Sequence, residues 1–193
     1  MNIETISAIA LGIGLSASTG FRVFIPLLVA GIANYTGILQ LSESFLWMGS
    51  IPAIISFGVA SVVEVLAYYI PFVDNLLDTI ATPLSVVAGT LLMTSVFPAE
   101  SEWMKWIAGV LVGGGAAAII QSGSALTRLF SSGVTGGISN PLISTGEGVA
   151  ATGFSILSLF IPIITAIIVL VIIFLIFGYG AKRIFKKKST ENK

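Results

Sequence analysis

The chain has 193 residues, 55% of them hydrophobic and 9% charged, with a mean hydropathy of +1.04, whereas soluble domains carry about a quarter charged residues. It cannot cover itself with polar surface, and the reading is an all-helical, multi-pass protein of the cell membrane. Six of the nine Lys and Arg lie at or beyond Lys182, which leaves no basic stripe for a nucleic acid, and the absence of Cys and His excludes disulfides, thiolate chemistry, haem ligation and most zinc or iron sites.

The N-terminal stretch carries Glu4 where a secretory leader would carry Lys or Arg, so it reads as mature protein. Ile6–Leu15 and Val23–Ala33 are apolar but short, joined through Ser16-Ala17-Ser18-Thr19-Gly20. Together they predict a helical hairpin over residues 5–34. Arms of this length reach only about 15 to 22 Å, against a hydrocarbon core of about 30 Å, so the hairpin is short enough to be re-entrant where neighbours shield its backbone. Two spans follow, over residues 49–71 and 75–97, interrupted by Glu64 and by Asp78 and Pro83. A second hairpin is predicted over residues 106–140, with Gln121-Ser122-Gly123-Ser124 as its turn. The apolar stretch 148–180 holds Pro162 and reads as either two short spans or one kinked helix. Lys182, Arg183, Lys186, Lys187 and Lys188 place the tail, residues 182–193, in the cytoplasm.

An internal duplication is legible. Ser16, Ser18, Arg22, Phe24, Gly31, Ile32 and Asn34 align without a gap on Ser122, Ser124, Arg128, Phe130, Gly137, Ile138 and Asn140. Apolar composition does not readily yield Arg and Asn in register, so residues 1–98 and 99–181 read as two repeats, each a hairpin followed by two spans. An even number of crossings then separates them, and the repeats are parallel. If Pro162 separates two spans, both hairpins open on the cytoplasmic side, with Trp47, Trp103 and Trp106 as an interfacial belt there; if it kinks one helix, the sides exchange.

Six ionisable groups fall within or beside apolar segments: Arg22, Glu64, Asp74, Asp78, Arg128 and Glu147. Insertion costs about 2.5 to 3.5 kcal/mol for an Arg or Asp at a helix centre, so these groups should face inward or into water. Arg22 and Arg128 follow stretches in which Ser16, Ser18, Ser122 and Ser124 add hydroxyls to a guanidinium fork, an arrangement suited to phosphate or carboxylate. The competing reading pairs each Arg with a carboxylate, for example Arg22 with Asp74 and Arg128 with Glu147. Asp74 and Asp78 share one helical face. Glu64, without a basic partner on its own helix, is either paired across the bundle or a neutral acid in a proton path. Asn34 and Asn140 end the second arms and read as helix C-caps, and Gly109 and Gly113-Gly114-Gly115 as close helix packing. With no nucleophile–base pair and no metal cluster legible, the expectation is no enzyme, no cofactor and no metal.

The series Glu64, Ile70, Pro71, Asp74, Asp78, Pro83 and Gly89, followed by Arg128, Ser139, Asn140, Ser144 and Glu147, resembles the signatures of the small multi-pass bacterial membrane proteins classed as domain of unknown function four-one-two-six. The resemblance covers most of the chain. Tyr68-Tyr69 stands where that family commonly has Asp-Lys, a His and a Lys before the second Arg are missing, and Gly148 replaces an Asp. It implies membrane placement and a role for the retained charges, but no activity. The function expected from the residues is transport or translocation of a small anion or a phosphate-bearing lipid, with the carboxylates available for proton coupling. The alternative is a scaffold subunit of a membrane complex whose charges are paired internally. The expected partners are the bilayer and an anionic lipid or small anion, with self-association open.

Overall fold

Proline and glycine punctuate the chain. Pro52, Pro141 and Pro162 each stand in the first turn of a helix, where the missing N–H is not needed. Gly136, at φ +63°, ends another in the left-handed conformation. The computed structural model describes residues 2–70 and 73–191, apart from the side chains of Asp74, Asn75 and residues 179–191. Its elements are helical throughout. Helices α1 (Ile3–Ser18) and α2 (Phe24–Tyr35) precede a 3₁₀ segment at Glu43–Gly49, α3 (Ile51–Ala67) and α4 (Val73–Val96). Then α5 (Glu102–Ala108) leads through a π-helical segment, Gly109–Gly114, into α6 (Gly115–Thr135), followed by α7 (Asn140–Phe160) and α8 (Pro162–Glu191).

Leu76–Val96, Glu102–Thr135 and Asn140–Phe160 are long and apolar enough to cross a membrane, and Glu43–Gly49 with Ile51–Ala67, bent by 62°, makes a fourth if counted as one span. Ile55, Val59 and Leu66 on α3 and Ile167, Val171 and Phe174 on α8 are exposed, whereas Arg22, Arg128, Gln121 and Glu147 are buried. Apolar outside and charged inside is the arrangement that lipid as outer solvent demands.

Helix α1 packs against α4, α7 and α8. Gly12 meets Met93 and Val96, the Ser16 hydroxyl donates to the Gly89 carbonyl at 2.8 Å and the Thr19 hydroxyl to that of Ser85 at 3.0 Å, so α1 and α4 are antiparallel. Helix α2 runs back along α3, with Glu64 at its start, Leu28 beside Gly58 and Asn34 beside Gly49. The Ser42 amide donates to the Ser95 carbonyl at 2.8 Å, which brings the segment after α2 to the end of the bundle where α4 finishes. The first expected hairpin is therefore present as a reversal of direction. Its turn is at Thr19–Val23 rather than at Ser16–Gly20, and its arms pack mainly on other helices.

The second expected hairpin, over 106–140, is replaced by a helix that continues unbroken through Gln121-Ser122-Gly123-Ser124 to Thr135. Of the hydroxyls that suggested a turn, that of Ser122 donates to the Ala118 carbonyl at 2.7 Å, and the next Thr, Thr127, donates likewise to the Gly123 carbonyl at 2.8 Å. The expected stretch 148–180 begins earlier, at Asn140, and divides at Ile161 into two helices. A β-carbon on Gly14 would meet both Ser158 and Thr165, and Ile176 shares a cleft with Glu147 and Ala150, so α8 returns antiparallel beside α7. Residues aligned in the expected duplication occupy unlike settings. Arg22 lies between α1 and α2 but Arg128 within α6, and Asn34 lies in the last turn of α2 whereas Asn140 opens α7.

Trp47, Trp103 and Trp106 are all exposed and lie at one end of the bundle, with the Trp106 ring 6.1 Å from Phe45. Helix α8 leads toward the other end. The side chains of Lys182, Arg183, Lys186, Lys187 and Lys188, and Pro71 at the expected span boundary, lie outside the described residues. Between α4 and the π-helical segment the backbones touch: a β-carbon on Gly113 would collide with the Gly89 carbonyl, and one on Gly109 with the Thr94 hydroxyl. Those glycines are close-packing residues.

A buried charge cluster at the helix break

Five elements carry charge to one interior point. Arg22 comes from the α1–α2 junction, Glu64 from α3, Asp78 from α4, Arg128 from α6 and Glu147 from α7. Arg128, 1% exposed, is fully paired. Its Nε donates to Asp78 Oδ2 at 3.1 Å, its Nη2 to Asp78 Oδ1 at 2.6 Å and its Nη1 to Glu147 Oε2. The first two form the bidentate fork that makes Arg–carboxylate pairs strong and directional.

Glu147 Oε2 also lies 3.5 Å from Arg22 Nη2, so one carboxylate oxygen faces both guanidiniums. Arg22, again 1% exposed, has weaker company. Its Nη2 donates to the Ser144 carbonyl at 2.9 Å and the Ser144 hydroxyl at 2.5 Å. Its Nε and Nη1 are buried and have no hydrogen-bond partner among the described residues. A donor left unmade in a buried cation is costly.

Tyr68, at the end of α3, joins the two cations. The guanidinium carbons of Arg22 and Arg128 lie 4.0 and 4.5 Å from the centroid of its ring, and its hydroxyl donates to Asp78 Oδ1 at 3.2 Å. The negative face of an aromatic ring attracts such cations, more strongly when water is excluded. Glu64 holds the turn itself. Its Oε1 accepts from the Val23 amide at 2.8 Å and its Oε2 from the Phe24 amide at 3.1 Å. Helix α2 has no side-chain cap of its own, so a carboxylate some forty residues away in sequence satisfies its first amides and complements its dipole.

Ser16, Ser18 and Ser122 direct their hydroxyl hydrogens to the carbonyls of Gly89, Gly14 and Ala118 rather than into the cluster. Ser124 lines a cleft of about 310 Å³ with Glu147 between α6, α7 and α8. The Asp74 side chain lies outside the described residues. Asn34 Nδ2 donates to the Leu39 carbonyl at 3.0 Å, closing the loop after α2. Asn140 is not a C-cap. Gly136 ends α6, and Asn140 Nδ2 donates to Ser132 Oγ at 2.9 Å, fastening the start of α7 to the end of α6.

Two members of the cluster were not legible as such. Tyr68 follows Glu64 by one helical turn and Ser144 precedes Glu147 by one, and that spacing was the available signal. A second cleft, of about 280 Å³, has Glu64 and Tyr68 in an otherwise apolar wall between α2, α3 and α4. Among the described residues no group of three or more Asp, Glu, His or Cys is placed to hold a metal ion. Neither a curated protein nor a solved structure matches the chain. A family profile does, over residues 9–180, a range that contains the whole charge cluster, and the chain thereby belongs to the family described as Domain of unknown function (DUF4126).

Proposed function

We propose that the chain is a membrane transporter or lipid translocase that moves a small anion or a phosphate-bearing lipid past Arg22. The observation that carries this reading is the pair of buried, unused donors on Arg22, in a cluster where Arg128 has all three nitrogens bonded. A phosphate or carboxylate supplies the missing acceptors in the geometry a guanidinium prefers. In this reading α1 and α2 form a re-entrant hairpin whose tip is stabilised inside the bilayer by Glu64 and by the surrounding helices. The basic end of α8 is cytoplasmic, and the Trp-bearing end at the opposite end of the bundle then faces outward, the reverse of the side expected for a division at Pro162. Arg22 and Arg128 against Glu64, Asp78 and Glu147 leave one formal negative charge, which suits a proton or cation moving with the anion.

A non-transporting scaffold is the second reading, favoured by the complete pairing of Arg128. Proteoliposomes separate the two. Uptake of radiolabelled phosphate and the dithionite accessibility of fluorescent phosphatidic acid are measured for wild type and for Arg22→Ala, with folding checked by helicity and gel filtration. We expect movement of one probe by wild type and its loss in Arg22→Ala. Wild-type movement by the folded variant, or by the double variant with Arg128→Ala, overturns the transport reading.

A further inference from the structure

A cleft of about 530 Å³ between α2, α3 and α7 reaches Ser144, the residue that holds Arg22. Its wall has two chemistries. Tyr69, Ser144, Thr145 and Thr152 bring hydroxyls, whereas Ile25 and Val149 are apolar. Along α7 it follows residues 144 to 153, about 13 Å of helix. It opens sideways onto the apolar exterior, because Val149 at its edge is 69% exposed and Tyr69 is 42% exposed. At its inner wall stands Ser144, whose carbonyl and hydroxyl hold Arg22 Nη2. A polar group that takes the place of the Ser144 hydroxyl therefore meets a buried guanidinium with two further free donors.

A soluble anion would have to shed its water and pass through hydrocarbon to enter there. A membrane lipid is already at the door. Resting on the transport reading above, we infer that the substrate is a phosphate-headed lipid. It enters laterally through the cleft between α2, α3 and α7, with its phosphate toward Ser144 and Arg22 and its chain against Ile25 and Val149. Charge complementarity selects the headgroup, and the apolar remainder of the cleft selects a molecule with a tail.

Two glycines keep this passage open. A β-carbon built on Gly148 or Gly153 meets nothing within 4 Å among the described residues, although both positions are inside α7, where glycine is an unfavourable helix former. A side chain at either position starts in open space and projects from the wall of the cleft. Gly133, on α6 and not among the residues lining this cleft, is also unobstructed and serves as the control.

The test uses the full chain in proteoliposomes, with fluorescent phosphatidic acid and radiolabelled inorganic phosphate as the two probes. Gly148→Leu and Gly153→Leu should slow lipid movement at least about tenfold by steric exclusion, while Gly133→Leu moves lipid at the wild-type rate. If both cleft variants move lipid normally while Arg22→Ala does not, the lateral route is wrong and the transport reading survives. Uptake of inorganic phosphate by a wild type that leaves the lipid unmoved overturns the lipid assignment alone. Normal lipid movement by Arg22→Ala removes the transport reading and this inference with it.

Discussion

Arg22 and Arg128 occupy aligned positions in the sequence and touch the same Tyr68 ring, yet the bundle treats them differently. Arg128 sits within a continuous helix, and each of its nitrogens reaches a carboxylate. Arg22 sits where the helix is broken, and a single one of its nitrogens is bonded to protein among the described residues. The contrast shows that burial alone does not fix how fully a charge is paired. The supply of acceptors decides, and that supply is set by residues far away in the chain.

The largest effect should fall on the paired cation. Arg128→Ala takes the bidentate partner from Asp78 and the nearer cation from Glu147 in the interior and should destabilise by about 3–5 kcal/mol, read as a lowered thermal midpoint in detergent. Glu64→Ala removes a double amide cap and should cost about 1–2 kcal/mol. Amide exchange at Val23 and Phe24 would rise selectively, and unchanged exchange there would mean that the break has another support. Arg22→Ala gives up two charge-assisted bonds to Ser144 but leaves Glu147 paired to Arg128 and relieves two unmade donors, so it should cost about 1–2 kcal/mol. A loss as large as that of Arg128→Ala would erase the contrast and favour the scaffold. Tyr68→Phe keeps the ring beneath both guanidiniums and removes one 3.2 Å bond to Asp78, so about 0.5 kcal/mol is the expected loss.

Much of this arrangement could be read before any coordinates. The expense of burying charge singled out Arg22, Glu64, Asp74, Asp78, Arg128 and Glu147, and the structure brings five of these six to one place, the Asp74 side chain lying outside the described residues. Spans over much of α3 and α4 followed from apolar length. What failed was the inference from polar side chains to a turn. Ser122 and Thr127 each return a hydroxyl to the preceding helical turn, so polarity there does not interrupt the helix. Conversely the real break, at Thr19–Val23, contains no proline, and its cap comes from Glu64 on another helix. Local pattern cannot reveal a terminus that is defined by tertiary contact. In the sequence Tyr68 shows only as half of Tyr68-Tyr69, because its value lies in the face of its ring, and ring orientation is a property of packing.

The glycine seam between α4 and the π-helical segment limits how this molecule can move. The Gly89 carbonyl sits where Gly113 would otherwise carry a methyl group, so sliding α4 along its neighbour by even one residue would drive side chains into backbone. Those two helices form a rigid strut.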